Sequence, residues 1–520
     1  MPTDSARWSK VLCPLASDGS ALQIPPPESF ADMKIQDFLD HHRIAGNPFA
    51  EEDAQNDTVF KRTCLESTFH PAWDKIYGNP DDPSTAIVFG EKGAGKTALK
   101  LQMVRQFERH DVDHPDRKTF VVLYDDFNPF LDRFIDRVGA KRPVEKVLAH
   151  WKLWDHIDAI LAIGTTQLVS KLLEGGGREK HRLAGPQARD LALLAACYDQ
   201  STGETFPSRW ARLRRMVGYR TWKSSWSWWL GMVATALMAG ALVSGAVQGR
   251  LDWTRWWWPW ALLAAAWAPW LWRRGRAWWT ARRIVRSMRT GNRTTGQLTQ
   301  ALARMPEVDL AGQPLPKHAR SDDRYELLAK FQGVLSALGY TGMVVIVDRV
   351  DEPHAVNGQA ERMRLLVWPM LDNKFLKSPG LGFKLLLPEE LYRFIEREDE
   401  QFNQRARLDK QNLVPSLEWT GETLYDIASQ RVKAASVGSP PATLAQLFDP
   451  AVDQRRLIDG LRSLRVPRHL FKFLHRLLVS HCHSHTSEQP VWTIPLEQFE
   501  RELAVFQRDQ DAFDRGLAPR

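Results

Sequence analysis

The chain has 520 residues, which is long for one ordinary domain and favours about three structural units. Its formal net charge is +8, but residues 212–289 alone hold 14 Lys or Arg and one acid, so the remainder is net negative and a general nucleic-acid-binding role is not indicated. The four cysteines lie far apart without a CxxC pair, so neither a disulfide framework nor a cysteine zinc site is indicated.

A phosphate-binding loop is predicted at residues 90–97. Residues 85–89 (TAIVF) form a short apolar run of strand formers, the loop GEKGAGKT follows, and a helix-like segment begins at Ala98. In this context the pattern GxxxxGK[ST] binds phosphate, because its glycines let backbone N–H groups surround phosphate oxygens at a helix N-terminus. The alternative, a plain glycine-rich turn, does not explain why Lys96 and Thr97 follow Gly95 in order.

The residues of this loop have predicted roles in binding a nucleotide. Lys96 should contact the β and γ phosphates, where its charge would assist catalysis, and the hydroxyl of Thr97 should bind Mg²⁺. The predicted nucleotide-binding residues are Gly90, Glu91, Lys92, Gly93, Ala94, Gly95, Lys96, Thr97 and Ala98.

Two further kinds of element are predicted before the most apolar part of the chain. Residues 120–126 (FVVLYDD) have the composition of a core strand. Residues 151–174 and 186–199 have apolar positions at helical spacing, and they predict a helical insert.

A transmembrane hairpin is predicted at residues 226–247 and 256–272. The first span has 22 residues without a charge, and as a helix it would extend about 33 Å, enough for a hydrocarbon layer of about 30 Å. The second span is uncharged but has only 17 residues and contains Pro259 and Pro269. Tryptophans at the ends of both spans favour the headgroup region. The alternatives are a buried hydrophobic hairpin and an aromatic ligand platform.

The positions of the basic residues predict the orientation of this hairpin. Lys and Arg are concentrated before the first span and after the second, whereas the connecting loop has only Arg250 and Arg255. Because cytoplasmic flanks are enriched in Lys and Arg, both termini should be cytoplasmic, as in a multi-pass protein of the inner (plasma) membrane. The predicted cytoplasmic cations are Arg212, Arg214, Arg215, Arg220, Lys223, Arg273, Arg274, Arg276, Arg282, Arg283, Arg286 and Arg289.

A second acidic motif follows the hairpin. Residues 343–347 form a continuous apolar run, as in a parallel strand covered on both faces, and Asp348 comes directly after it. Asp348 is predicted to bind Mg²⁺, usually through water. Asp351 or Glu352 would orient or deprotonate the attacking water, and the sequence does not decide between them.

These two motifs carry a family resemblance. GEKGAGKT together with VVIVDRVDE resembles the STAND class of AAA-like P-loop NTPases, and a membrane hairpin between the motifs resembles the KAP family. The resemblance implies an α/β P-loop fold with a parallel sheet core, a helical C-terminal lid and an inserted helical segment with two transmembrane helices. It further implies ATP and Mg²⁺ as ligands, slow hydrolysis, a homo-oligomer and an effector or signalling partner protein.

The resemblance also suggests roles for three arginines. Residues 382–388 (GFKLLLP) stand where such families have a sensor strand, but this one ends without the usual polar residue. Arg405 or Arg407 resembles an arginine finger by position, the alternative being a solvated basic stretch. Arg468, in the sequence Val-Pro-Arg, resembles the second sensor of the helical lid.

The motifs divide the chain into seven predicted segments. They are an N-terminal extension (1–45), the first half of the NTPase core (46–145), a helical insert (146–221), the transmembrane hairpin (222–280), a helical return segment (281–335), the second half of the core (336–420) and a helical lid with the C-terminal region (421–520).

The resemblance implies a membrane-anchored, nucleotide-dependent switch, such as those of bacterial phage defence or related conflict systems. Two other functions stay open: an ATP-driven remodelling motor at the membrane, and a membrane scaffold with structural nucleotide. A transporter of the ABC kind is not expected, because two spans cannot line a pathway alone and an LSGGQ-like signature is absent from the sequence.

Overall fold

The computed structural model describes residues 32–66, 68–139, 141–174, 183–219, 221, 225–249, 254 and 256–515. This part of the chain is an α/β structure around one five-stranded parallel sheet. The four strands predicted from apolar runs are confirmed, each starting within three residues of its predicted start, and a short fifth strand was not predicted. The strands are β1 (Ala86–Gly90), β2 (Lys118–Tyr124), β3 (Tyr340–Val347), β4 (Leu381–Pro388) and β5 (Asn412–Val414).

Helices make up most of the remaining structure. They are α1 (Ile35–His41), α2 (Trp73–Tyr77), α3 (Lys96–Asp113), α4 (Asn128–Val138), α5 (Val144–Leu148), α6 (Leu153–Glu174), α7 (Gly185–Tyr198), α8 (Phe206–Val217), α9 (Trp226–Val247), α10 (Trp258–Ser287), α11 (Thr295–Arg304), α12 (Glu307–Leu310), α13 (Asp322–Ala337), α14 (Ala360–Val367), α15 (Asn373–Leu376), α16 (Glu389–Ile395), α17 (Glu400–Ala406), α18 (Gly421–Ala435), α19 (Gln454–Arg462), α20 (Pro467–His483) and α21 (Leu496–Asp514).

The sheet is covered on both faces, with the order β2-β3-β4-β1-β5. Successive strand residues point to opposite faces, so Ile87 and Phe89 pack against the cluster that contains α6, α7 and α13. Ala86 and Val88 pack against α2 and α3 on the other face. Burial on both faces explains why β3 is a continuous apolar run.

Because all five strands are parallel, their carboxyl ends meet at one edge of the sheet. The loop between β1 and α3, Asp125 after β2, Asp348 after β3 and Glu389 after β4 all lie along this edge. Ligands of open α/β sheets collect at such an edge. The topology therefore brings together residues that are far apart in the sequence.

The C-terminal helices form a second core. Leu424 of α18 and Leu470 and Leu474 of α20 are buried together with Phe38 and Phe49 from the beginning of the described chain. The predicted lid thus includes residues from the predicted N-terminal extension. At the start of α20, the backbone N–H of Arg468 donates to the carbonyl of Gly93 at 3.4 Å, which joins this core to the β1–α3 loop.

One described helix, α9, is long and apolar enough to cross a membrane by length and composition, and only 6% of its apolar window is buried. It coincides with the first predicted span. Most of the second predicted span lies within α10, which continues from Trp258 through the arginines to Ser287. Its arginines, tryptophans and prolines lower its hydropathy, and α10 does not meet the same test.

The two helices of the hairpin pack closely at one point. A Cβ atom added to Gly231 of α9 would lie 2.7 Å from the indole ring of Trp267 in α10. The Trp267 indole N–H donates to the Thr235 hydroxyl at 3.0 Å. Of the residues used to predict the hairpin and its orientation, Arg220, Lys223, Arg250 and Arg255 lie outside the described residues, as do residues 1–31 of the predicted extension.

Candidate functional site

The loop between β1 and α3 depends on glycine at two positions. Gly93 and Gly95 have φ values of 95° and 93°, in the left-handed region where other residues are strained. A Cβ atom at Gly93 would also lie 2.7 Å from Cβ of Arg468. The two glycines therefore allow the chain to turn into α3 and allow α20 to approach the loop.

The side chain of Lys96 folds back across this loop. Its Nζ donates to the carbonyl oxygens of Gly90 at 2.6 Å and Glu91 at 3.0 Å. Burial lowers the pKa of Lys96, while the nearby carboxylates of Asp351 and Asp348 act in the opposite direction. The ammonium group thus lies in an acidic surrounding at the carboxyl edge of the sheet.

Thr97 and Asp348, the two predicted metal ligands, are neighbours. The Thr97 hydroxyl donates to Oδ2 of Asp348 at 3.3 Å. Asp348 is only 2% exposed, because it follows β3, which is an inner strand of the sheet. Both side chains are oxygen donors, the ligand type that Mg²⁺ prefers.

A buried lysine that the sequence analysis missed lies beside this pair. Nζ of Lys100 is 2.8 Å from Oδ2 of Asp125 and 3.1 Å from Oδ2 of Asp348, and its side chain is only 2% exposed. Lys100 lies one helical turn after Lys96, on the same face of α3. That spacing could have indicated that Lys100 lies near the site, although it does not identify the acids that Lys100 contacts.

The acids after Asp348 follow a strained turn. Arg349 has a φ of 59°, unusual for a residue with a side chain. Its guanidinium lies 3.5 Å from the carboxylate of Glu352, whose side chain is 57% exposed. Burial raises the pKa of Glu352, Arg349 opposes the rise, and Asp351 and Asp348 add to it.

These groups line a cavity of about 350 Å³ that is also lined by residues of α18 and α20. Trp419 forms part of its wall and donates its indole N–H to the Ala94 carbonyl at 2.9 Å. Its lining includes residues 92–99, Asp348, Arg349, Asp351, Glu352, Glu390 and Arg468, and also Phe60, Cys64, Ile427 and Phe471 together with the ion-paired Asp57 and Arg431.

Some of the predicted site residues line this cavity, and others lie outside it. Asp351, Glu352 and Arg468 line the cavity with the loop. Gly90 and Glu91 do not line it, but their carbonyls hold Lys96. Arg405 lines a different cavity, beside Trp151 and Trp368, and Arg407 pairs with Asp409 at 3.6 Å. Since an arginine finger acts on a neighbouring subunit, that role of Arg405 or Arg407 stays a prediction.

The oxygen atoms of Thr97 and Asp348 fit Mg²⁺, because this ion usually keeps several water ligands when it binds a protein. In the described ranges, no group of three or more His, Cys, Asp or Glu side chains could hold a metal by itself. Mg²⁺ commonly binds one or two protein oxygens together with water and substrate phosphates. Thr97 and Asp348 supply two such oxygens next to a loop of backbone N–H groups.

No protein-family model, curated protein or solved structure matches the chain. The resemblance to STAND-class and KAP NTPases therefore depends on the two motifs and on the segment between them.

Proposed function

We propose that this chain is a membrane-anchored, ATP-hydrolysing P-loop NTPase of the KAP or STAND kind, working as a nucleotide-dependent switch. The contact between Thr97 and Asp348 is the observation that carries the proposal. It joins a phosphate-loop motif to an acidic strand motif at the carboxyl edge of a parallel sheet, where both are needed for phosphoryl transfer.

The loop supplies the groups that would bind the phosphates of ATP. Backbone N–H groups of the loop and the positive end of the α3 dipole attract phosphate oxygens. Lys96 would exchange its bonds to the carbonyls of Gly90 and Glu91 for phosphate oxygens. Arg468 lines the same cavity and would add a second positive charge from α20.

Thr97 and Asp348 would hold Mg²⁺, which neutralises phosphate charge when it is bound. Glu352 fits the role of general base, because its raised pKa makes it a better proton acceptor and its carboxylate is accessible to water. Asp351 would orient the same water from the cavity wall. Phe60 and Phe471, which line the same cavity, would supply aromatic surface for a nucleotide base.

Membrane anchoring is supported by exposed apolar side chains. Leu237, Val243 and Val247 of α9 are between 66% and 84% exposed, and Trp272 of α10 is 74% exposed. Apolar surface of this extent on two adjacent helices is unfavourable in water and favourable in lipid. The anchor would hold the nucleotide site at the cytoplasmic face of the inner membrane.

The main test measures ATP binding and hydrolysis by the full chain purified in an uncharged detergent. We expect Lys96→Ala to lower the hydrolysis rate by about a hundredfold or more, because it removes a charge aimed at the phosphates. Lys146→Ala, an exposed lysine of α5, is the control and should be unaffected. Equal turnover by Lys96→Ala and the unchanged chain would refute the proposal.

Two further variants separate the acids and the modes of action. Glu352→Gln should bind ATP and fail to hydrolyse it, whereas Asp351→Asn should retain part of the rate. Turnover that rises steeply with an added substrate would favour the motor over the switch. A Lys96→Ala variant with full function in cells would instead favour the scaffold.

The proposed biological role is bacterial phage defence, as the resemblance implies. Cells that carry the chain with its neighbouring genes should plate phage less efficiently than cells carrying Lys96→Ala. Equal plating by the two strains would refute this role and leave the ATPase assignment intact.

A further inference from the structure

A small basic cavity lies where α10 leaves its tryptophan-rich half. Its volume is about 100 Å³, and it is enclosed by α10 and by the segment 302–317. Trp272 borders it on the side of the exposed apolar surface. The other polar lining residues that bear on its chemistry are Arg273, Arg276, Glu307 and Lys317.

The cavity has more positive charge than its acids balance. Arg276 forms an ion pair with Glu307, the one acidic residue that lines it in the described structure. The hydrogen bonds of Arg273 include those donated to the Ser227 hydroxyl and to the Ala303 carbonyl, both at 3.3 Å. The charged side chains of the lining therefore sum to about +2 at neutral pH, with Lys317 protonated.

Lys317 is the side chain whose charge is least compensated. No carboxylate lies within ion-pair distance of its Nζ in the described part of the chain. Burial lowers the pKa of Lys317, and the positive charges of Arg283 and Arg276 lower it further, while Asp323 acts in the opposite direction. An anion bound here would relieve the repulsion among these three cations.

The surroundings decide which anion fits. Leu271 is 57% exposed, Trp272 is 74% exposed, and Trp279, two helical turns after Trp272, is 61% exposed. Arg274 and Arg282 stack on Trp270 and Trp278, at 5.4 and 5.2 Å from the ring centroids. Alternating aromatic and basic side chains are typical of a membrane surface, with apolar rings beside acyl chains and cations beside headgroups.

We infer that this cavity binds the phosphodiester headgroup of an anionic phospholipid, with Lys317 and Arg273 facing the phosphate and the acyl chains lying along the exposed part of α10. The inference rests on the proposed membrane anchoring. It adds a specific lipid-binding site to an otherwise general membrane contact, at the junction between the hairpin and the cytoplasmic helices.

The experiment uses the full chain in an uncharged detergent and measures thermal unfolding while lipid is added. Phosphatidylglycerol should stabilise the chain, and phosphatidylcholine with the same acyl chains should have little effect. Lys317→Gln should weaken the apparent phosphatidylglycerol affinity about fivefold, the effect of one cation near an anionic lipid surface. Arg274→Gln is the control, because it also removes one positive charge, from a position of α10 that does not line the cavity.

Three outcomes would overturn the inference. Equal stabilisation by inorganic phosphate would assign the cavity to a free anion. Equal loss of affinity in Arg274→Gln and Lys317→Gln would show diffuse charge attraction, and equal stabilisation by both lipids would show no headgroup preference. Failure of the membrane anchor is detected separately, by release of the chain from native membranes in alkaline carbonate, and failure of the ATPase by the hydrolysis assay.

Discussion

Thr97 and Asp348 are 251 positions apart in the sequence, yet the hydroxyl of one lies 3.3 Å from the carboxylate of the other. The contact forms because Thr97 is in the first turn of α3 and Asp348 ends β3, both at the carboxyl edge of one sheet. The segment between the two residues, which includes β2, α9 and α10, is therefore attached to the site at both of its ends.

The Thr97 hydroxyl is expected to determine the Mg²⁺ requirement of hydrolysis. Thr97→Ala should raise the Mg²⁺ concentration for half-maximal activity by about tenfold to a hundredfold, since one polar contact to a charged group is lost. Thr97→Ser keeps the hydroxyl and should stay close to the unchanged chain. The measurement is ATP hydrolysis titrated with Mg²⁺, and identical titrations for Ala and Ser would contradict the assignment.

Lys100 is expected to stabilise the fold, because its ammonium group lies between two carboxylates and balances their negative charges. In Lys100→Met, Asp125 and Asp348 would lose their shared cation, and breaking a buried ion pair in this way costs about 3–5 kcal/mol. Lys330→Met is the control, because Lys330 pairs with Asp190 at 3.0 Å but is 22% exposed, so it should cost much less.

The same variant also tests whether Mg²⁺ can balance the carboxylate charges in place of Lys100. If its ammonium group balances the carboxylates when no metal is bound, added Mg²⁺ should restore part of the lost stability in Lys100→Met. Thermal unfolding with Mg²⁺ and with a chelator measures this. A Lys100→Met variant that is stable in both conditions would contradict the proposed charge balance.

The residues of the site that could be predicted from the sequence are those in local motifs. The glycines, Lys96 and Thr97 are adjacent along the chain, and Asp348 directly follows an apolar run, so spacing alone indicates their chemistry. The ion pairs of Lys100 could not be predicted in this way. They exist because β2 and β3 are neighbours in the sheet, an order that the sequence does not display.

Two other features of the structure, part of the cavity lining and the length of α10, could not be predicted from the sequence either. The cavity lining combines Phe60 and Cys64 with Ile427 and Phe471, which come together only because the C-terminal helices pack beside the loop. The full length of α10 could not be predicted for another reason. Hydropathy falls at Arg273, but a helix needs no apolar side chains to continue, and the arginine-rich half keeps good helix formers.

Buried His156 is expected to make stability depend on pH. Its ring contacts the hydroxyl of Tyr124 at 3.2 Å and the carbonyl of Leu366 at 2.8 Å, and burial lowers its pKa from 6.5 to about 3. The unfolded chain therefore takes up a proton below pH 6.5 that the folded chain does not. This contribution is complete above pH 6.5 and declines at lower pH by about 1.4 kcal/mol per unit.

The variant His156→Gln removes this titration. Its unfolding free energy should be lower than that of the unchanged chain at pH 7.5, and the difference should narrow as the pH falls below 6.5. His150→Gln, at an exposed position before α6, is the control for replacing a histidine by glutamine. Denaturant unfolding at several pH values measures both, and a constant difference for His156→Gln would contradict a neutral buried ring.

Gly231 is expected to be essential for the packing of the hairpin, and Gly240 on the same helix is not. A Cβ atom at Gly231 would lie 2.7–2.9 Å from three ring atoms of Trp267, whereas one at Gly240 would have no neighbour within 4 Å. The bond from the Trp267 indole N–H to Thr235 keeps the ring in place, so the ring cannot simply turn away. Gly231→Ala should therefore force α9 and α10 apart.

The expected cost of Gly231→Ala is about 1–3 kcal/mol from overpacking, whereas Gly240→Ala should be neutral or stabilising because alanine favours a helix. Unfolding of the full chain by SDS in mixed micelles compares the two variants. Adding Trp267→Leu to Gly231→Ala should recover part of the loss by making room for the methyl group. Equal stabilities of Gly231→Ala and Gly240→Ala would mean that α9 and α10 do not pack against each other through Gly231.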